Sequence, residues 1–294
     1  MKQFLLTILM VLSLTVNAGV KHDTCFPQNN RINPIGMKAS GGLSQAQFEK
    51  AIAEVGAVYA PIFKETYKAD LVIENHWDDN TVNAYAFQEG DQWHVAMFGG
   101  LARDPLVTVD GFKAVICHEI GHHIGGLAKY PGGWASDEGQ ADYFATAKCL
   151  KKVFEKDIQK TVEIYSADEG LSPEQKIAKK TCDTTYANEA EAAMCLRSSL
   201  AGESLAKLLG SLGGSSNVKF STPDPKKVAR TNHNHPQAQC RLDTYFQGSL
   251  CDKDHMIFPS DSDASVGYCT SKDAYKIGLR PLCWFQPKEY GLER

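Results

Sequence analysis

No run of lysine and arginine in this 294-residue sequence extends past three residues, and the formal net charge is −4. Clustered cations are what hold phosphate backbones, so nucleic acid is not an expected partner. After the first residues, no stretch approaches the roughly 18–20 apolar residues of a membrane helix, and no membrane span is expected in the mature chain. No two cysteines stand as Cys-x-x-Cys, which argues against a structural zinc knot. Hydrophobic content of 43% with 22% charged residues is ordinary for a globular protein with a sizeable core.

The N-terminus reads as a leader. Lys2 precedes an apolar run over residues 4–14, and Val16-Asn17-Ala18 fits a small-residue cleavage signal. Cleavage is expected after Ala18, with the mature protein periplasmic or secreted. Nine cysteines suit an oxidising compartment. The odd one is expected to be Cys117, read as a small buried hydrophobe. Proximity pairs Cys182 with Cys195, and Cys240, Cys251, Cys269 and Cys283 among themselves.

Residues 19–42 are polar and rich in Gly, Pro and Asn, and predict an extended arm that Cys25 pins. Ser44 with Gln47 reads as a capping box. Apolar residues at helical spacing follow to about Lys68, with Pro61 expected to kink or split the helix. Three strands are expected at 70–77, 82–87 and 92–98, forming a small antiparallel sheet. Gly99-Gly100 then permits close approach of a backbone or a substrate. Residues 151–212 read as helices, 213–234 as a polar loop, and 250–294 as a segment held by bridges.

Between strand and helix patterns stands Cys117-His118-Glu119-Ile120-Gly121-His122-His123. On a helix, expected from an Asp110 cap to about Ile124, His118 and His122 share one face and can ligate one Zn2+. Glu119 can then take a proton from an attacking water. A metzincin-type third histidine would fall at position 128, which is Ala128. The other common solution is a glutamate on a following helix, started here by Ser136 or Asp137. Glu138 can bind the metal, and Asp142, four residues on, can fix the tautomer of a ligand histidine. That face continues through Ala145 and Cys149.

His-Glu-x-x-His followed by Glu-x-x-Ala-Asp resembles the gluzincin endopeptidases that include HtpX, the CAAX prenyl proteases and BepA-like periplasmic proteases. Val82-Asn83-Ala84-Tyr85-Ala86, Gly99-Gly100-Leu101 and His235-Pro236 with Arg241 downstream are similar to further family elements in the same order. The resemblance implies zinc ligands His118, His122 and Glu138, general base Glu119, and Asp142 supporting a ligand. It also implies His235 or Arg241 near the metal, stabilising the oxyanion or covering the site at rest. The family's transmembrane helices have no counterpart here, so prenylated substrates are not implied.

The expected fold is α+β and zincin-like, a small antiparallel sheet packed on the motif helix and further helices. Expected segments are a leader at 1–18, a metallopeptidase domain at 19–245 and a Cys-rich extension at 246–294. The expected function is an exported zinc endopeptidase acting on peptides or unfolded proteins, with envelope quality control as a candidate setting. Two alternatives stay open: a chaperone-like or partner-binding protein whose metal site is shut, and a secreted structural module.

Overall fold

The computed structural model describes residues 25–36, 41–166, 170–215 and 217–293; the expected leader lies outside them. Helix α1 spans Gln45–Ile62. The capping box starts it: Ser44 Oγ accepts the Gln47 amide at 3.4 Å, and Gln47 Oε1 accepts the Ser44 amide at 2.9 Å. Phe48, Ala51, Val55 and Tyr59, spaced by three and four, form its buried face. Pro61 contributes no N–H to the helix, and just after it the backbone widens into a π turn, Phe63–Tyr67. Lys68, left-handed at φ 57°, ends it.

The three strands are β1 (Asp70–His76), β2 (Ala84–Glu89) and β3 (Gln92–Phe98), in spatial order β1-β3-β2. The sheet is mixed, which corrects the antiparallel expectation. β2 and β3 form an antiparallel hairpin, turned at Gly90 (φ 62°), while β1 runs parallel to β3. The reason lies in loop 77–83, which carries the chain over the end of β3 and leaves β1 on its far side. A side chain on Gly99 would collide with the Trp77 carbonyl, and one on Gly100 with that of Asn80. The glycine pair therefore accommodates backbone. Arg103 locks the crossing by donating to the carbonyls of Trp77 at 2.7 Å and Asp79 at 3.1 Å.

Helix α2 (Gly99–Ala102) leads to the motif helix α3 (Val109–Ile124). Thr108 caps α3 instead of Asp110, because its extended backbone lets Oγ1 accept the Gly111 amide at 3.0 Å. Asp110 lies inside the first turn and binds Arg197 through both oxygens, at 2.7 and 2.8 Å. From Gly111 to Ile124 every residue of α3 is buried. Phe112 meets Phe48 of α1 with ring centroids 5.0 Å apart.

Helix α4 (Glu138–Phe144) passes through a π turn (Ala145–Cys149) into α5 (Leu150–Glu155). Helices α6 (Ile158–Ser166), α7 (Pro173–Thr185), α8 (Glu189–Leu212) and α9 (Ala238–Leu250) follow, and α9 runs through the expected boundary at residue 245. A second capping box, Ser172 with Gln175, and Pro173 in the first turn start α7. Beyond α9 the chain has little regular structure and packs on α4. Trp284 fills the space at Gly139, where any side chain would strike its indole ring. Arg280 Nε donates to Gln140 Oε1 at 2.8 Å.

Four disulfides cross-link these elements. Cys182–Cys195 agrees with expectation, and Cys240–Cys283 and Cys251–Cys269 fall within the expected set. Cys117 is not the odd cysteine. It bonds Cys149, because α3 crosses the face that Glu138, Asp142, Ala145 and Cys149 share. The free cysteine is Cys25, fully buried in the arm.

Candidate metal centre

His118 and His122, one turn apart on α3, bring their Nε2 atoms to 3.1 Å. Glu138 opens α4, whose first turn Asp137 caps by accepting the Gln140 amide at 2.9 Å. Its Oε2 stands 3.3 Å from His118 Nε2 and its Oε1 3.7 Å from His122 Nε2, with all three side chains fully buried. Glycine inside the motif makes this approach possible. A Cβ on Gly121 would stand 3.0 Å from the Ala141 backbone, so α4 can lie directly on α3.

Each imidazole is oriented from behind. His118 Nδ1 faces Asp142 Oδ1 at 2.8 Å, and His122 Nδ1 faces the Ser136 carbonyl at 2.8 Å. Both acceptors place the ring proton on Nδ1 and leave the Nε2 lone pairs converging toward Glu138. The spacing of Asp142 marks it in the sequence. The Ser136 carbonyl has no such mark, since a backbone atom leaves no signature in residue identity.

Arg241 lies behind this layer. It grips Asp142 with Nε and Nη2, both at 2.6 Å, and donates to the Cys25 carbonyl at 2.7 Å and Tyr245 Oη at 3.3 Å. Its nearest atom to Glu138 is 3.7 Å from Oε2. The guanidinium thus holds Asp142, which holds His118. On the other side of Glu138, Oε1 is 3.5 Å from Nε2 of the partly exposed His235 and accepts the Tyr130 hydroxyl at 3.2 Å. Neither Tyr130 nor His233, whose Nδ1 lies 3.0 Å from Asp137 Oδ2, belongs to a motif that could mark it. His123 is elsewhere, stacked on Trp93 and Trp134 with its Nε2 3.0 Å from the His94 carbonyl.

Glu119 is fully buried, and neither carboxylate oxygen has a hydrogen-bond partner among the described residues; Glu138 Oε2 is in the same position. Burial pushes the Glu119 carboxyl up to about 8. Burial acts the same way on Glu138, but the pull of the neighbouring His118, His122 and His235 outweighs it and holds that carboxyl well below the usual range. Unsatisfied buried carboxylate oxygens are costly. Two imidazole nitrogens and one carboxylate, with ligand atoms within 4.8 Å of one another, form a donor set that fits a divalent cation, which would satisfy Glu138 Oε2.

A second cluster shares His118: Cys25 Sγ, a His118 ring nitrogen and a Glu119 oxygen also lie within 4.8 Å of one another. From the sequence, Cys25 is expected only to pin the arm.

No helix among the described residues is long and apolar enough to cross a membrane, and four disulfides suit a compartment outside the cytoplasm. No curated protein and no solved structure matches the chain. Residues 44–130, from α1 past both motif histidines and Glu119, match the family model described as Peptidase family M48, which supports a metal-dependent protease.

Proposed function

We propose that the protein is an exported zinc endopeptidase that hydrolyses peptide bonds of unfolded or protein substrates, with His118, His122 and Glu138 as metal ligands. The carrying observation is the convergence of those three buried side chains beside a Glu119 carboxylate without a hydrogen-bond partner. When bound, Zn2+ supplies Lewis acidity, polarising the scissile carbonyl and acidifying a water.

Glu119 acts as general base. It takes a proton from the attacking water and returns it to the departing amine nitrogen, completing hydrolysis. Its dry setting suits both transfers, because burial raises the basicity of the carboxylate. His235, partly exposed beside Glu138, stabilises the charge that develops on the carbonyl oxygen. Arg241 works through others, fixing Asp142 and thereby the His118 tautomer.

The test is Glu119→Gln with metal content measured alongside cleavage of casein. Zinc should be retained at wild-type stoichiometry while cleavage falls by about 100- to 10,000-fold. Unchanged proteolysis with zinc retained would sink the assignment of Glu119 as base.

A further inference from the structure

The arm runs along the chain that enters the hairpin, residues 80–84, beside the metal centre. Strand β3 pairs with β1 on one side and β2 on the other, leaving the second edge of β2 and the loop before it to be covered. The arm pairs in antiparallel sense with that loop and with the first residue of β2. Cys25 N–H donates to the Ala84 carbonyl at 3.0 Å, Val82 N–H to the Arg31 carbonyl at 3.4 Å, and Asn33 N–H to the Asn80 carbonyl at 2.9 Å, with Ile32 bridged to Thr81. Asn83 clasps Phe26 by its backbone: its Oδ1 accepts the Phe26 amide at 3.0 Å and its Nδ2 donates to the Phe26 carbonyl at 3.1 Å. These contacts read main chain, so an unrelated extended peptide would satisfy them equally.

Where this strand reaches the motif helix, it delivers a thiol. Cys25 is fully buried, and its Sγ clusters with His118 and Glu119, while its carbonyl takes a bond from the same Arg241 that orients His118 through Asp142. The other eight cysteines are bonded in pairs. Glu119, fully buried beside the thiol, receives no hydrogen bond from any nitrogen or oxygen donor among the described residues, which suits a cation at this point.

Resting on the peptidase reading above, we propose that residues 25–33 occupy the peptide-binding edge and that Cys25 supplies a further metal ligand, so that the folded protein is latent until the arm leaves. Thiolate is a strong ligand for zinc. Coordination as thiolate would release the thiol proton to solvent, and the sulfur would fill the position that an attacking water needs. Departure of the arm would let the sulfur take a proton back from solvent and would free the water position and the strand edge together.

The test uses full-length protein loaded with Zn2+ or Co2+. Wild type should show a sulfur scatterer at about 2.3 Å from zinc by X-ray absorption, and a sulfur-to-cobalt charge-transfer band. Cys25→Ser should lose both at unchanged metal stoichiometry and cleave casein about tenfold faster or more, as the competent fraction is no longer limited by the arm. In wild type, Cys25 should resist alkylation when metal-loaded and react after chelation, a readout that needs no variant to fold. A metal shell of nitrogen and oxygen only, or a Cys25→Ser protein no faster than wild type, overturns the proposal. Neither result touches the peptidase reading, which fails separately on Glu119→Gln.

Discussion

Asp142→Asn tests how the centre is held. Asp142 receives three donors within a fully buried space: His118 Nδ1 at 2.8 Å and two Arg241 nitrogens at 2.6 Å. The amide keeps the shape but offers one acceptor oxygen. If that oxygen serves His118, the NH2 group faces the guanidinium, donor against donor; if it serves Arg241, His118 loses its anchor. Arg241 keeps only the Cys25 carbonyl, the Tyr245 hydroxyl and a Glu138 oxygen at 3.7 Å. Leaving a buried charge without its partner costs about 3–5 kcal/mol. Loss of a ligand's outer support weakens metal binding by about 10- to 100-fold, or about 1.4–2.8 kcal/mol. Urea unfolding of chelator-stripped, disulfide-intact protein reads the first quantity, and zinc competition with a chromophoric chelator the second. Adding Arg241→Met should restore part of the lost stability, because the stranded charge goes with it, but none of the zinc affinity. A variant that unfolds and binds zinc as wild type does would falsify the chain of support from Arg241 through Asp142 to His118.

Two further outcomes concern stability. Lys151 is buried, its Nζ donating to Tyr186 Oη at 2.8 Å and the Cys251 carbonyl at 2.7 Å, and burial pulls its ammonium from the usual 10.5 down to about 7. Between those values the unfolded chain binds the extra proton, so stability rises with pH from about 7 toward 10, at up to about 1.4 kcal/mol per pH unit, and this dependence levels off below about 7, where both states hold the proton. Thermal melts of wild type should show the rise, and Lys151→Met should flatten part of it. Replacing Cys117 and Cys149 together by serine opens a link with a sequence separation of 32 and should cost about 3–4 kcal/mol in urea unfolding, more than replacing the Cys182–Cys195 pair, whose separation is 13.

The centre is legible in the sequence where helical periodicity governs it. His118 with His122 and Glu138 with Asp142 are spaced so that each pair shares a helix face, and that spacing carries over directly into converging side chains. The same periodicity puts Cys149 on the face meeting α3, so the bond to Cys117 is implicit in the pattern, although Cys117 by itself reads as an unpaired core residue. The parallel pairing of β1 is not legible, since strand order depends on which edge of β3 the loop 77–83 reaches, and local residue identity does not encode that choice. The Ser136 carbonyl, Tyr130 and the arm escape for a related reason. Each acts through backbone or through contacts between residues distant in the chain, and no local spacing announces them.

Arg241 meets Asp142 across 99 residues and Cys25 across 216. Contacts of such separation are the slowest to form, because long loops must close before anything rewards closure. A growing chain therefore presents both motif histidines, Glu119 and Glu138 long before the guanidinium that steadies them exists. Once in place, that guanidinium ties the arm, through the Cys25 carbonyl, to the same layer as Asp142. The order of the arm and the order of the layer behind His118 thus rest on one side chain, distant from both in the sequence.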